Sequence, residues 1–124
     1  MKVVFDTNIL IDYLSGIKGA KTEIERYSSP AISLITWMEV LVGAESGEEE
    51  LAIRGFLNRF EVVPVTPAIA DIAVRLRREH RIRLPDAIIW ATAQHRECLL
   101  ITRNTRDFSA THAGIRVPYK VSSP

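Results

Sequence analysis

The stretch Val3-Val4-Phe5-Asp6-Thr7-Asn8-Ile9-Leu10, close to the N-terminus, decides the fold class. Its first half is a β-branched and aromatic run, which is typical of a buried strand. A polar turn follows at residues 6–8, and from Ile9 onward the apolar residues recur at helical spacing. The stretch therefore predicts a strand, a polar turn and a short helix, in that order.

The same alternation of strand and helix continues along the chain. Further strands are predicted at residues 31–34, 62–65, 98–101 and 115–117. The helices predicted between them include segments at 21–27 and 51–57 and others opening at Thr36, Pro67 and Pro85. Because the strands are apolar runs, the sequence predicts a three-layer α/β/α sandwich with a mostly parallel central sheet.

Length and composition are those of one globular domain. The chain has 124 residues, of which 47% are hydrophobic and 25% charged, so we expect a single domain over residues 1–124. Asp6 interrupts the first apolar run before it reaches the length of a signal peptide or membrane span. Cys98, the single cysteine, cannot form an internal disulfide. We therefore expect a cytoplasmic protein with no membrane partner.

The charges are divided unevenly along the chain. The net charge is +1, yet residues 1–62 hold six basic and ten acidic side chains, and residues 63–124 hold ten basic and five acidic ones. Residues 75–83 alone contain five arginines. This cluster has two interpretations: it contacts nucleic acid, or it is a solvated helix end, where cations are favoured.

Three acids follow or precede predicted strands, and they could meet at one edge of the sheet. These are Asp6, Glu39 and Asp86. Each also has a purely structural explanation, since Asp6 can cap a helix and Asp86 favours the positive end of its own helix. Thr36-x-x-Glu39 matches a capping box, which would keep Glu39 from binding a metal.

Three carboxylates within about 4 Å of one another would repel by roughly 4 kcal/mol per pair at an effective dielectric of 20. Such a cluster needs a cation, and an all-oxygen set suits Mg²⁺ or Mn²⁺, which also bind substrate phosphate. His80, His95 and His112 lack the spacing of a zinc site. The acids therefore indicate phosphate chemistry.

Four segments in sequence order resemble the motifs of PIN-domain proteins, and most closely those of VapC-type toxins. They are residues 3–12 with Asp6-Thr7-Asn8, residues 32–40 with Glu39, residues 84–93 with Asp86, and residues 101–108 with Asn104 and Asp107. The resemblance covers nearly the whole chain. It implies a PIN-like fold and a metal-dependent endoribonuclease. In such an enzyme, metal-activated water attacks a phosphodiester of RNA, and the products carry a 3′ hydroxyl and a 5′ phosphate.

The resemblance also assigns residues. Asp6, Glu39, Asp86 and Asp107 match the acids that hold Mg²⁺ (Mn²⁺ substituting) and support catalysis, although either Asn104 or Asp107 could complete the site. The hydroxyl and amide side chains around the acids are Thr7, Asn8, Thr36, Thr102 and Asn104. For Thr7 and Thr36 a turn and an N-cap are equal alternatives. The candidate RNA-binding arginines are Arg77, Arg78, Arg81, Arg83, Arg103 and Arg106.

Partners follow from the same resemblance. VapC-like proteins are expected to act on RNA, to pair with a cognate VapB-like antitoxin and to form homodimers through helices. Apolar faces that could supply the dimer interface, or equally the core, contain Tyr13, Leu14, Trp37, Met38 and Leu41. Trp90 stands where the family commonly has a small residue, and we expect it in the core.

Two other classes of function remain as alternatives. One is a PIN fold that binds RNA or a protein without cutting, against which the retention of Asp6, Glu39 and Asp86 argues. The other is a Mg²⁺-dependent phosphatase or phosphoacceptor domain. That class expects Asp-x-Asp or paired acids after the first strand, whereas this chain has Asp6-Thr7-Asn8.

Overall fold

The computed structural model describes residues 2–121; Met1 and residues 122–124, the ends of the predicted domain, lie outside the described residues. The strands are β1 (Lys2–Phe5), β2 (Ser29–Ser33), β3 (Glu61–Val63), β4 (Leu99–Ile101) and β5 (Ile115–Arg116). The helices are α1 (Thr7–Leu14), α2 (Lys18–Glu25), α3 (Leu34–Leu41), α4 (Gly47–Leu57), α5 (Pro67–His80) and α6 (Leu84–His95).

The five strands form one sheet in the order β3-β2-β1-β4-β5, and every pairing is parallel. In the central strand, Val4 pairs with Ala31 on one side and Leu100 on the other. This register brings the carboxyl ends of β1, β2 and β4 to one edge of the sheet. Asp6 and Thr102, each following its strand, are therefore neighbours across 96 positions.

Successive residues of β1 point into two different cores, as the two-residue period of a strand requires. Val3 and Phe5 pack with the helices α1, α2 and α4, whereas Val4 packs with α5 and α6. All three side chains are completely buried, which stabilises the fold by about 1.5–3 kcal/mol for each. Helices thus cover both faces of the sheet, and the predicted three-layer α/β/α architecture is confirmed.

Helix α6 is buried along most of its length, and Trp90 is part of the core as expected. The indole is 3% exposed and packs edge-on against Phe108, with ring centroids 5.5 Å apart. His80 and His112 also contact the indole. None of the helices in residues 2–121 combines the length and hydrophobicity that crossing a bilayer requires.

Two local predictions are wrong. Thr7 and Asn8, expected in a polar turn, are instead the first two residues of α1, directly after its N-cap Asp6.

The second wrong prediction is the Thr36-x-x-Glu39 capping box, which does not form. Helix α3 begins at Leu34, directly after β2, and its N-cap is Ser33, whose side chain accepts a hydrogen bond from the Ile35 amide. The helix therefore starts two residues earlier than expected, and Thr36 and Glu39 lie inside it. The N-cap interpretation of Thr36 fails for the same reason, and Glu39 is free of a capping role.

Candidate active site

Asp6 lies at the centre of the site, where β1 ends and α1 begins. Its carboxylate caps α1 by accepting from the Thr7 amide at 2.7 Å, and it also accepts from the Thr102 hydroxyl at 2.7 Å and the Asn8 side-chain amide at 3.2 Å. Burial nevertheless raises the pKa of Asp6 to about 6, and the nearby negative charges of Asp86 and Glu39 add to the rise. The protein thus holds a carboxylate that resists ionisation.

Asp6, Glu39 and Asp86 line one cavity of about 280 Å³, which we call the acidic pocket. The remaining lining residues are Thr7, Asn8, Ile11, Arg83, Arg103 and Asn104. The pocket lies beyond the carboxyl ends of the parallel strands, where such sheets bind their ligands. The three acids predicted from different parts of the sequence therefore reach the same place.

Glu39 reaches the pocket from the middle of α3 and is joined to α1 by Thr7. The Thr7 hydroxyl donates to Oε1 of Glu39 at 2.7 Å and lies 3.0 Å from the Thr36 hydroxyl. Thr36 is completely buried, so it supports Thr7 from the protein interior. The two threonines thus fix the position of a carboxylate that would otherwise be free on an exposed helix face.

Asp86 enters the pocket from the first turn of α6, where the helix dipole favours a negative charge. Partial burial raises its pKa, although the Arg83 guanidinium opposes that rise. The Nε of Arg83 lies 3.4 Å from Oδ2 of Asp86, and the arginine side chain is 81% exposed. This pairing is therefore loose, and solvent weakens it.

Asn104 and Asp107 occupy different positions relative to the pocket. Asn104 lines it. The Asn104 side-chain amide donates to the Asp107 carboxylate at 3.0 Å, and the Asp107 backbone amide donates to the Asn104 side-chain oxygen at 3.3 Å. The charge of Asp107 still acts on Asp86, since it raises the pKa of that carboxyl. Asp107 thus influences the charge state of Asp86 without lining the pocket, whereas Asn104 lines it.

A buried polar network supports the pocket from beneath. The Thr102 hydroxyl accepts from the Asn104 amide at 3.0 Å while donating to Asp6. The Asn8 side-chain amide contacts Thr102 at 3.3 Å, and its oxygen accepts from the Arg103 backbone amide at 3.4 Å. Predicted polar residues from two strand ends are therefore brought together as one network.

The six candidate arginines are not equivalent in the structure. Arg83 and Arg103 line the acidic pocket, and Arg106 lines an adjoining cavity that also contains Arg103. Arg77 and Arg78 are exposed in the last turn of α5, and Arg81 ends that helix with a left-handed backbone, φ 56°. The cluster in residues 75–83 thus reaches the pocket through Arg83.

The donors in the pocket fit a hard divalent cation, because its carboxylates and amides offer oxygen and the lining includes no His or Cys. Within residues 2–121, however, no three Asp, Glu, His or Cys side chains form a ready-made metal-binding group. Mutual repulsion opposes the closer approach of bare carboxylates. The acids thus surround a common space without converging on one point.

Two residues beside the site had no local signal in the sequence. Asp12 and Tyr119 are 107 positions apart, yet the Tyr119 hydroxyl donates to Asp12 at 2.8 Å and Asp12 accepts from the Arg103 side chain. Asp12 lies within the first motif, but nothing nearby in sequence indicates its partners. Ile11, on the same helix, also lines the pocket.

A model of the PIN domain matches residues 3–113 of the chain. Ribonuclease VapC10 of Mycobacterium tuberculosis is 34% identical over 86% of this chain and 85% of its own. The tRNA(fMet)-specific endonuclease VapC of Shigella flexneri is 35% identical over 87% of this chain and 90% of its own. The chain therefore belongs to the PIN-domain family and, within it, to the VapC-type ribonuclease toxins.

The solved structures agree with that assignment. One chain of a toxin-antitoxin complex from Klebsiella pneumoniae superimposes with a TM-score of 0.90 at 48% identity, covering 96% of this chain and 99% of that chain. The fold predicted from the motif resemblance is thereby confirmed, as is the resemblance itself.

Proposed function

We propose that this protein is a Mg²⁺-dependent endoribonuclease, with Mn²⁺ able to substitute, that cleaves cellular RNA and is inhibited by a cognate antitoxin. The observation that supports this best is the arrangement of Asp6, Glu39 and Asp86 around one pocket at the carboxyl edge of the sheet. Burial is the largest cause of the raised pKa values of Asp6 and Asp86, and a second cause is the repulsion between carboxylates that no cation compensates. A divalent ion would offset it.

In this proposal Asp6 and Asp86 hold the metal directly, and Glu39 binds it or accepts a proton from the attacking water. When bound, the ion would lower the pKa of water and offset negative charge that develops on the phosphate. Hydrolysis adds the water oxygen to phosphorus and breaks the bond to the 3′ oxygen. That oxygen takes up a proton, so the products are a 3′ hydroxyl and a 5′ phosphate.

The polar residues around the acids would keep these carboxylates in place. Thr7 and Thr36 orient Glu39, while Asn8 and Thr102 orient Asp6. Either Asn104 or Asp107, or both, would complete the metal site beside the three acids. Asn104 would offer an amide oxygen at the pocket wall, and Asp107 would add negative charge behind it.

RNA binding would use the cations beside the pocket. Arg83 and Arg103 are the first candidates for phosphate contacts because they line the pocket itself, with Arg106 in the adjoining cavity. Arg77, Arg78 and Arg81 are further along the same basic segment and would contact RNA outside the site. Cations placed in this way would neutralise the phosphates flanking the cleaved bond.

The proposed partners are an antitoxin, a second copy of the chain and RNA in the cytoplasm. The similar chain from Klebsiella pneumoniae comes from a toxin-antitoxin complex, which supports an antitoxin partner here. For the homodimer, Leu14 and Met38 are 42% and 45% exposed. Tyr13, Trp37 and Leu41 are partly buried and pack against the core, so in this proposal the exposed parts of these apolar faces would form the interface.

Cleavage of total RNA by the purified protein tests the proposal. We expect discrete cuts with Mg²⁺, none with EDTA, and none with Asp86→Asn, whose fold stays intact because the substitution preserves shape. Asp71→Asn is the matched control, since Asp71 is exposed on α5 and outside the pocket; it should cut like the wild type. Mass spectrometry of the preparation must show that no antitoxin is retained.

Persistent cutting by Asp86→Asn at the wild-type rate would contradict the assigned site. RNA binding by the wild type without any Mg²⁺-dependent cut would favour the second class of function, a PIN fold that binds without cleaving.

A further inference from the structure

Arg103 is held by a buried carboxylate, which also accepts a hydrogen bond from a tyrosine. Its Nε and Nη2 donate to the two oxygens of Asp12, with the Nη2 bond at 2.9 Å, and the Tyr119 hydroxyl donates to Asp12 at 2.8 Å. The Asp12 side chain is 4% exposed and that of Arg103 is 35% exposed. We call Asp12, Arg103 and Tyr119 the Arg103 cluster.

The Tyr119 ring in this cluster is itself fixed by close packing on α2. A Cβ added at Gly19 would lie 2.9 Å from Cγ of Tyr119, so only glycine allows the ring to approach the helix this closely. The hydroxyl of Tyr119 therefore reaches Asp12 from a ring that has little freedom to move.

A second cluster is built in the same way elsewhere in the fold. Arg116 donates through Nε and Nη2 to both oxygens of Glu23, at 2.6 Å and 3.1 Å, and the Tyr27 hydroxyl donates to Glu23 at 3.1 Å. The side chains of Arg116 and Glu23 are 34% and 4% exposed. We call these three residues the Arg116 cluster, and it does not border the acidic pocket.

Position distinguishes the two clusters. Arg103 lines the acidic pocket and two neighbouring cavities of about 470 Å³ and 330 Å³. The other residues lining these two cavities include Asn8, Asn104, Thr105, Arg106, Tyr119 and Lys120. Arg103 therefore lines three cavities, and the two whose lining contains no acid contain the further cations Arg106 and Lys120.

The bond to Asp12 leaves part of the guanidinium available. Asp12 engages the edge formed by Nε and Nη2, which uses two of the five N–H groups of an arginine. The opposite edge, which includes Nη1, belongs to a side chain that remains one-third exposed. A planar guanidinium fixed along one edge loses little entropy when the other edge binds an anion.

We propose that Arg103 binds a phosphate of the RNA strand beside the acidic pocket, and that Asp12 and Tyr119 are positioning residues that hold its guanidinium for that contact. The inference rests on the proposed ribonuclease function and adds the direction in which the RNA leaves the acidic pocket. From the acidic pocket the RNA backbone passes Arg103 toward the two cavities lined by Arg106 and Lys120.

Binding of a short fluorescein-labelled single-stranded RNA, followed by anisotropy, tests this in an Asp86→Asn parent that does not cut. Arg103→Gln should weaken binding by about tenfold or more, as expected for one charge-assisted contact. It should also reduce the slope of log K against log salt by about 0.7. Arg116→Gln is the matched control, because it breaks an equivalent cluster away from the pocket; it should leave affinity and slope unchanged.

Tyr119→Phe tests positioning with a milder change that leaves the Asp12–Arg103 pair in place. It should weaken binding several-fold in the parent and have no additional effect when combined with Arg103→Gln, because it acts through that arginine. In the cleaving protein it should raise KM and leave kcat unchanged. Tyr27→Phe is its control, and the melting temperature of every variant shows whether it is folded.

Equal losses of affinity in Arg103→Gln and Arg116→Gln would overturn the inference, since both clusters would then be merely structural. Additive effects of Tyr119→Phe and Arg103→Gln would overturn the positioning role. If the wild type cuts RNA and these results appear, only this inference fails. If the wild type neither cuts nor binds RNA, the proposed function fails, and this inference fails with it.

Discussion

The Thr102 hydroxyl, just after β4, donates a buried hydrogen bond of 2.7 Å to the Asp6 carboxylate, just after β1. The bond joins two neighbouring strand ends and lowers the pKa of Asp6 against the larger effect of burial. Asp6 is thus a buried acid whose ionised form depends on a few specific donors. Its titration should therefore affect stability and, in the proposed function, metal binding.

Replacing Thr102 with Val should destabilise the protein by about 1–3 kcal/mol at pH 8, because the ionised Asp6 loses a donor that burial prevents water from replacing. The loss should be smaller at pH 5, where Asp6 is mostly protonated. Urea unfolding at the two pH values measures this. Thr92→Val is the control: Thr92 is equally buried but bonds to the Ile88 carbonyl, so its cost should not change with pH.

Asp6→Asn should become more stable relative to the wild type as the pH rises from 4 to 8 in EDTA. In the wild type, a folded-state pKa raised from 3.8 to about 6 means that the folded protein binds the proton more tightly than the unfolded chain. Stability is then lost as the pH rises through this range, by up to about 3 kcal/mol. The variant lacks that loss. Parallel stability curves for the two proteins would contradict the raised pKa.

Mg²⁺ should raise the melting temperature of the wild type at pH 7.5 and raise it much less at pH 5, because protonated Asp6 competes with metal binding. A thermal shift titration measures both values. Asp86→Asn should lose most of the increase and Asp71→Asn should keep it. An identical Mg²⁺ response in Asp86→Asn would place the ion elsewhere.

Replacing Arg77 and Arg78 together with Ala should weaken RNA binding on all sequences by a similar factor and flatten its salt dependence, if these exposed residues contact phosphate. The measurement is the anisotropy titration over a series of salt concentrations in the Asp86→Asn parent. An unchanged slope would assign both arginines to the solvated end of α5, where they complement the helix dipole.

Met38→Asp should shift the purified protein from dimer to monomer in size-exclusion chromatography with light scattering. Met38 is 45% exposed and shares a cavity with Trp37, Leu41 and Val42, and a charge there would oppose burial of this apolar face. Val74→Asp on α5 is the control, because Val74 is 43% exposed. A dimer that persists in Met38→Asp would exclude this face as the interface.

Much of the fold could be predicted because its signals are local. Apolar runs separated by helical periodicity indicate a covered parallel sheet, and the acids next to predicted strands fall at its carboxyl edge. The failure at Thr36 has an equally local cause. The pattern Thr-x-x-Glu is the same whether it caps a helix or lies inside one. Here it lies inside α3, because Ser33 at the end of β2 is the N-cap of that helix.

The sequence by itself determined the class of architecture, which depends on patterns a few residues long, and the order of its motifs, whose resemblance to PIN-domain motifs made Asp6, Glu39 and Asp86 the candidate acids. Only the tertiary structure decided that Asn104 lines the pocket and is hydrogen-bonded to Asp107, and that Asp12 accepts hydrogen bonds from both Arg103 and Tyr119. Strand register and helix packing set those contacts across as many as 107 positions. Contacts between residues so far apart in sequence produce no local pattern from which they could be predicted.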